Sequence, residues 1–521
     1  MMPASHDSDR SPVSGCNGAR PVSRLRWWWA VALWAVVWAL PLAGARAERI
    51  ELDDGSVLMG NEVNTKGETV TIHLDIGQMI AVPRAHIVHR GDPATSPLVT
   101  AAPLRFHGSN TMGERLVPAL VDHFVAGHGA AASPWLVGEL AGEKTLIVNG
   151  GEAGLPHEIE VRAFGSNTAF AALQTGAADI GLSARPIRDS ESAVLRGLTE
   201  QGVALDGIAV IVNPSNPLRS VTLAQLAKIL SGEIADWSLV GGAPGPIHVR
   251  LPDDRSSLPE TLQTLVLAGR RLTPAAERVE SSQALSARVA AEPGAIGLVS
   301  LAYVDQTRAL DIRGCSGEVG PTAFSVKSGD YPLTRRLFLY ARPQPRPKVI
   351  DDVLAFAVSP AGQSAIAAAG FVNQEIESDG GVTRRTRRQM MIDDASIDFG
   401  LARNFLKVTE GASRLSLTFQ FDEGGVAPAG SADDDIRRLI AFMKGPVGSG
   451  HQVLVLGFSG PTDVLQQGTV LSENRAREVA VRLTKSGLKV AVAAGFGPIT
   501  APCTETPDTR ERSRRVEVWM R

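Results

Sequence analysis

Apolar and polar residues alternate from Arg49 to Arg90, as in Thr69-Val70-Thr71-Ile72-His73-Leu74, with a turn signal at Asp53-Asp54-Gly55. A period of two predicts a small β module over residues 48–92 with four or five short strands. Residues 95–103, small and proline-containing, read as a linker. From Leu104 to Asn373 the pattern changes: short apolar runs such as 179–183 and 208–212 alternate with helical periods at 113–128, 223–230, 259–267 and 348–357. That alternation predicts open sheets flanked by helices. Residues 375–411 turn polar, with an arginine cluster at 384–388, and read as a solvated connector. The last stretch, 412–521, predicts strands at 415–421, 453–458 and 516–519 and helices at 433–443 and 472–485, in the order β, α, β, α, β.

Ahead of these patterns, Arg20, Arg24 and Arg26 precede an apolar run over 27–42, and Ala45 and Ala47 stand just before Glu48. Basic start, apolar run and small-residue site are the order of a secretory signal, so residues 1–47 are expected to be removed on export. The run is shorter than the ~20 apolar residues that span a bilayer as a helix, and Pro41 interrupts its end. Cys16 lies before the run, and export would leave Cys315 and Cys503, too few for a disulfide framework. At 521 residues the chain is too long for one core. Its 44% hydrophobic and 21% charged residues, with a net charge of -3, offer nothing for nucleic acid. His73, His86 and His89 follow no metal-ligand spacing, and no metal or cofactor is expected.

Three segments share one grammar, in which a predicted strand ends in small hydroxyl or amide residues and a helix begins at once. They are Gly108-Ser109-Asn110-Thr111, Gly165-Ser166-Asn167-Thr168, and Asp254-Arg255-Ser256-Ser257. The first backbone N–H groups of a helix lack partners and carry partial positive charge, which suits an anion. Serine and threonine hydroxyls add donors, each hydrogen bond to a charged group being worth about 1.5–3 kcal/mol. The same residues taken singly are also ordinary helix caps.

Together, residues 103–374 resemble the PstS-like family of periplasmic phosphate-binding proteins. The resemblance rests on Gly108 to Thr111, on Gly176-Ala177-Ala178-Asp179-Ile180-Gly181-Leu182-Ser183-Ala184-Arg185-Pro186, and on Ile229-Leu230-Ser231-Gly232-Glu233-Ile234-Ala235-Asp236-Trp237. It is supported further on by Gly294 to Val299 and Ser359 to Gln363. The resemblance implies a two-lobed α/β fold that holds a small oxyanion such as phosphate through Ser109, Asn110, Thr111, Ser166, Asn167, Thr168, Ser183, Arg185, Arg255 and Ser256. The third turn departs from the family's R-x-x-G-S-G-T: Pro252 stands at its arginine, Arg255 and Ser257 at its glycines, and Leu258 at its threonine. Asp253 or Asp254 either accepts a proton from a protonated oxyanion or faces solvent.

Residues 412–521 resemble the OmpA-like peptidoglycan-binding domain, an α/β unit, through Val455 to Ser459, Leu471-Ser472-Glu473-Asn474-Arg475-Ala476 and Arg514 to Val518. The resemblance implies that Arg475 grips the diaminopimelate part of peptidoglycan. Gly460 occupies the place of the family's aspartate, leaving Asp463 as its substitute.

The expectation is therefore a multidomain envelope protein, periplasmic or associated with the outer membrane. It would bind a small anion for transport by an ABC importer or for an envelope sensor protein, and would be tethered to the wall. No activated nucleophile stands beside the turns, so an enzyme is not expected. The competing reading is a structural wall-binding protein whose central module has lost its solute.

Overall fold

The computed structural model describes residues 48–499 and 512–521, apart from 53–56, 75–78, 92–101, 141, 153, 254–257, 315–316, 394–396, 429–431 and 461–464. The export signal, both later cysteines, Arg255, Ser256 and Asp463 lie outside the described residues.

The chain separates near Val99 into two compact units. The first is the expected β module, a five-stranded antiparallel sheet closed over Ile50, Val70, Ile72 and Val82. The alternation of Thr69–Leu74 is what places Val70 and Ile72 inside and His73 outside.

In the second unit a 14-stranded sheet runs through two lobes. The parallel strands Leu104–Gly108, Glu158–Arg162 and Ile180–Ser183 build the first lobe, covered by helices Val117–Gly127, Ser166–Thr175, Lys348–Val358 and Pro360–Ala368. Strands His248–Pro252, Glu277–Val279 and Ala295–Ser300, with helices Leu223–Ser231 and Ser282–Ala291, build the second. The long strand Thr199–Val212 crosses between them. It pairs with Thr334–Ala341 over Thr199 to Gly207, then with Ala295–Ser300 over Ile208 to Val212. The apolar run 208–212 is thus the second half of a longer strand whose first half opens with the polar Thr199, Glu200 and Gln201 and holds only the short apolar stretch Val203 to Leu205. The predicted helix over 113–128 opens instead with a π-helical turn, Met112–Leu116.

The C-terminal region corrects one expectation. Residues 375–411 are not a solvated connector: they form helices Val382–Asp393 and Phe399–Val408 and belong to the C-terminal fold. The strand Val453–Phe458 is apolar on both faces and so needs cover on both. On one face Ala432–Lys444 and Leu465–Lys485 bury Val453 and Val455. On the other, Phe405 packs with Leu454, Leu456, Phe458 and Trp519. Arg387, from the arginine cluster, is buried and grips Glu517 with two hydrogen bonds of 2.7 and 2.8 Å. A further strand, Val490–Gly495, completes a four-stranded sheet, so the βαβαβ reading was one strand short.

The C-terminal fold is fastened to the second lobe. Arg414 Nη1 donates to Asp330 Oδ2 (2.5 Å), and Arg512 Nη1 to the carbonyls of Gly329 (3.3 Å) and Tyr331 (3.1 Å). Arg438 Nη1 donates to the Gln374 carbonyl at 2.6 Å.

Candidate functional site

The parallel strands of the first lobe end side by side, where ligands of open α/β sheets are held. Gly108 closes its strand with φ +141°, and a Cβ there would meet the Leu182 carbonyl oxygen at 2.1 Å, so only glycine lets the chain turn. Hydrogen bonds knit the turns together. Ser109 N donates to Leu182 O (2.9 Å), Gly165 N to Gly108 O (2.8 Å), and Ala184 N to Ser166 Oγ (3.0 Å). The turns at Ser109, Ser166 and Ser183, far apart in sequence, are one cluster.

Their side chains divide into two groups. Ser166 Oγ is used by Ala184, Ser183 Oγ donates to Arg185 O (2.7 Å), and Thr168 Oγ1 donates to Gly165 O (2.9 Å). Those hydroxyls hold the turns in shape. Ser109 Oγ and Asn110 Oδ1 are buried without a partner. A buried polar atom left open costs free energy unless something fills the place, so these two are where a ligand would repay binding.

Arg185 is engaged otherwise than expected. Its two terminal nitrogens grip Glu191 at 2.6 and 2.8 Å, Nη2 also donates to Asn167 Oδ1 (2.7 Å), and the guanidinium lies over the Phe170 ring. Burial would raise the Glu191 carboxyl, but Arg185 and the Arg188 amide outweigh it and lower it. This arginine braces the turns.

Across the cleft, Asn110 and Thr111 share an open pocket with Pro252, Asp253 and Leu258, the two flanks of the third turn. Pro252 and Leu258, two of the departures from the family turn, thus face the same space as the first turn. A cation that sequence reading missed reaches this pocket. Arg335, on strand Thr334–Ala341, donates through Nη2 to Thr111 Oγ1 (3.1 Å) and through Nε to Asp206 Oδ2 (2.9 Å). Asp206 in turn accepts from Ser300 Oγ at 2.5 Å. Nothing local marks Arg335, because its partners Asp206 and Thr111 lie 129 and 224 positions away along the chain. Ser281 and Ser282 also line the pocket, at the start of helix Ser282–Ala291. They follow strand Glu277–Val279 in the same strand, serine, helix grammar as the selected turns, and that grammar was a sufficient signal.

The pocket is rich in carboxylates. Glu114, Asp253 and Glu280 line it beside Arg335. Burial pushes the Glu114 carboxyl up to about 7, against the opposing pull of Lys144, the Ser282 amide, the Tyr303 hydroxyl and Arg115.

In the C-terminal fold Arg475 is fully buried. Its Nε donates to Gly425 O (2.8 Å) and its Nη2 to Asp422 O (3.0 Å), while Nη1 has no partner. Burial, helped by repulsion from Arg514, lowers its pKa to about 10.

Residues 152–361 match the family model described as a PBP superfamily domain. That stretch of the chain is similar to a domain of that superfamily. A phosphate-binding protein PstS of Bacillus subtilis is 32% identical over 179 residues, 34% of this chain and 58% of that protein. Protein SphX of Synechococcus elongatus is 28% identical over 246 residues, 44% of this chain and 73% of its own length. The chain thus spans just over half the length of the Bacillus relative. Among solved structures, an ABC-type phosphate transport receptor from Vibrio cholerae aligns with a TM-score of 0.42 and 21% identity, over 52% of this chain and 99% of its own.

Proposed function

We propose that this chain is an exported solute-binding protein that holds a small oxyanion, phosphate first among them, in the cleft between its lobes, and that it is not an enzyme. The observation that carries the reading is Ser109 Oγ, buried and unpartnered at a helix-opening turn, in a cluster whose next residues Asn110 and Thr111 meet Arg335 in the pocket. The name of the Bacillus relative, a phosphate-binding protein, supports phosphate as the ligand, and delivery to an ABC importer or to an envelope sensor is the use proposed for it. Calorimetric titration with phosphate, sulfate and molybdate tests this: micromolar or tighter binding of one anion is expected, and no binding of any would overturn it.

A wall tether is the second part of the proposal. Arg475 has an unpartnered Nη1 and a second arginine beside it, and it meets two carbonyl oxygens and the Phe421 ring but no carboxylate among the described residues, a setting that a carboxylate of a peptidoglycan stem would neutralise. Retention on purified peptidoglycan should fall with Arg475→Ala, and equal retention of both proteins would remove this site. The carboxylates in the cleft favour the competing reading, a wall-binding protein with a silent central module, which the same titration separates.

A further inference from the structure

Three stretches of chain run between the lobes, and the C-terminal fold sits on them. Two are the paired strands Thr199–Val212 and Thr334–Ala341, whose register shifts at a bulge between Gly202 and Ala204. The third leaves helix Pro360–Ala368 of the first lobe and bridges to Leu205 at Val372. Gly202, Leu205 and Arg336 of the crossing strands line one space with Ser416, Thr418 and Asp435 of the C-terminal fold.

The C-terminal fold is bonded on both sides of these crossings. Toward the first lobe, Arg438 Nη1 donates to the Gln374 carbonyl (2.6 Å), and the Gln374 amide donates to Gln363 Oε1 (2.6 Å) in helix Pro360–Ala368. Gln363 is itself held there, its Nε2 donating to the carbonyls of Val203 (2.9 Å) and Ala357 (2.7 Å). Only Glu375 and Ile376 separate Gln374 from Glu377, which exchanges hydrogen bonds with Ser416 of the C-terminal fold at 2.8 and 2.9 Å. Toward the second lobe, Arg414 holds Asp330, and Arg512 holds the carbonyls of Gly329 and Tyr331. The Tyr331 hydroxyl in turn donates to Ile208 O at 2.9 Å, which ties this loop to the sheet of that lobe.

The lobes also meet directly at the cleft, where Tyr303 donates to Thr111 O at 3.3 Å and Arg115 to the Ala302 carbonyl. Swinging one lobe away from the other about the crossings would part Gln374 from the loop at 329–331. A hydrogen bond of 2.6 Å is lost once it lengthens by about 1 Å. The two residues between Gln374 and Glu377 leave little slack.

We infer that the C-terminal fold is a strap across the hinge, which holds the lobes closed, and that the cleft opens when Arg438 lets go of Gln374. That end is the weaker one. The Arg438 side chain is 30% exposed and meets a neutral carbonyl, whereas Arg414 is fully buried against Asp330 and Glu517. Such coupling is reciprocal: whatever draws helix Ala432–Lys444 off Gln374 favours the open cleft, and closing the cleft seats that helix. The strap acts on the hinge whatever the cleft holds.

The test is the distance between the lobes in the full chain, read by single-molecule energy transfer. Dyes are placed on Val137→Cys in the first lobe and Leu239→Cys in the second, both exposed positions, with the native cysteines replaced by serine. The otherwise unchanged chain should show mainly the short distance. Arg438→Met with Asp435→Asn frees the first end without stranding a carboxylate, and Asp330→Asn with Arg512→Met frees the second. Either pair should raise the ratio of long to short distances by about tenfold, and the two pairs together by little more, since a strap cut once is already cut. A loss of stability alone would lower the melting temperature and leave the distances of the folded protein where they were. Unchanged distances in folded variants overturn the strap, as does an unmutated hinge that already divides its time evenly between long and short. Should one pair fail to fold, the other decides.

Discussion

Arg414, fully buried in the C-terminal fold, donates to Asp330 of the second lobe at 2.5 Å. Asp330 lies in the loop between helix Ala323–Lys327 and strand Thr334–Ala341, five residues before Arg335 in the pocket. Behind Arg414 sits Glu517, also fully buried and shared with Arg387 and Arg515. The two folds are therefore joined through one charge network, and the C-terminal fold is anchored to the lobe that supplies the far wall of the cleft.

Removing one member of such a network strands the others, which for a buried pair costs about 3–5 kcal/mol. Arg414→Ala should lower the denaturation midpoint of the second unit by an amount of this order. Arg414→Ala combined with Asp330→Ala should cost less than the sum of the two single changes. Denaturant unfolding measured as a double-mutant cycle checks this, and strict additivity would show that the contact is energetically idle.

Acid should loosen the same junction. Burial would raise the Glu517 carboxyl, but Arg387, Arg414 and Arg515 outweigh it and hold it well below the usual carboxylate range; Asp330 is lowered through Arg414 despite burial. For a carboxyl depressed on folding, the stabilisation is complete above its unfolded value and is lost as pH falls through its folded value. The contribution is thus constant near neutrality and disappears only in strong acid. Glu114 has the opposite sign. Its carboxyl is raised to about 7, so between the unfolded value near 4.5 and about 7 the native state binds the extra proton and stability falls as pH rises. Thermal melts of Glu114→Gln should lack that decline.

Arg335 should matter to the ligand more than its distance from the selected turns suggests. Charge-assisted hydrogen bonds are worth about 1.5–3 kcal/mol, so Arg335→Ala should weaken anion binding by about 10- to 150-fold in the calorimetric titration. Arg335→Lys keeps the charge but loses the fork that serves Asp206 and Thr111 together, and should recover only part of the loss.

The legibility of this chain followed the range of its interactions. Turns at Ser109 and Ser166 are written locally, in a glycine that must turn and a hydroxyl residue that must begin a helix, and they stand where the pattern put them. Arg335 and Asp206 find each other only through the pairing of the two long strands, which no short window contains. Arginine-rich residues 384–388 read as solvated because charge normally faces water. Here Arg387 is buried since Glu517, on a strand with no exposed face, requires a partner. The neglected clue was Val453–Phe458, whose apolar residues on both faces demanded a second cover.

Arg185 separates a ligand from a brace. With its fork on Glu191, a further bond to Asn167 and its plane over Phe170, its removal should first cost stability. Arg185→Ala should lower the melting temperature, and Glu191→Ala should do nearly the same, because each change strands the other partner. Anion affinity should weaken to a similar, smaller extent in both variants, since the turn carrying Asn167 loses its support in either case. If Arg185 instead contacted the anion directly, Arg185→Ala alone would lose affinity, and Glu191→Ala would gain it by freeing a positive charge. Paired titrations and melts of the two variants distinguish these outcomes, and a rise in affinity for Glu191→Ala would return Arg185 to the binding site.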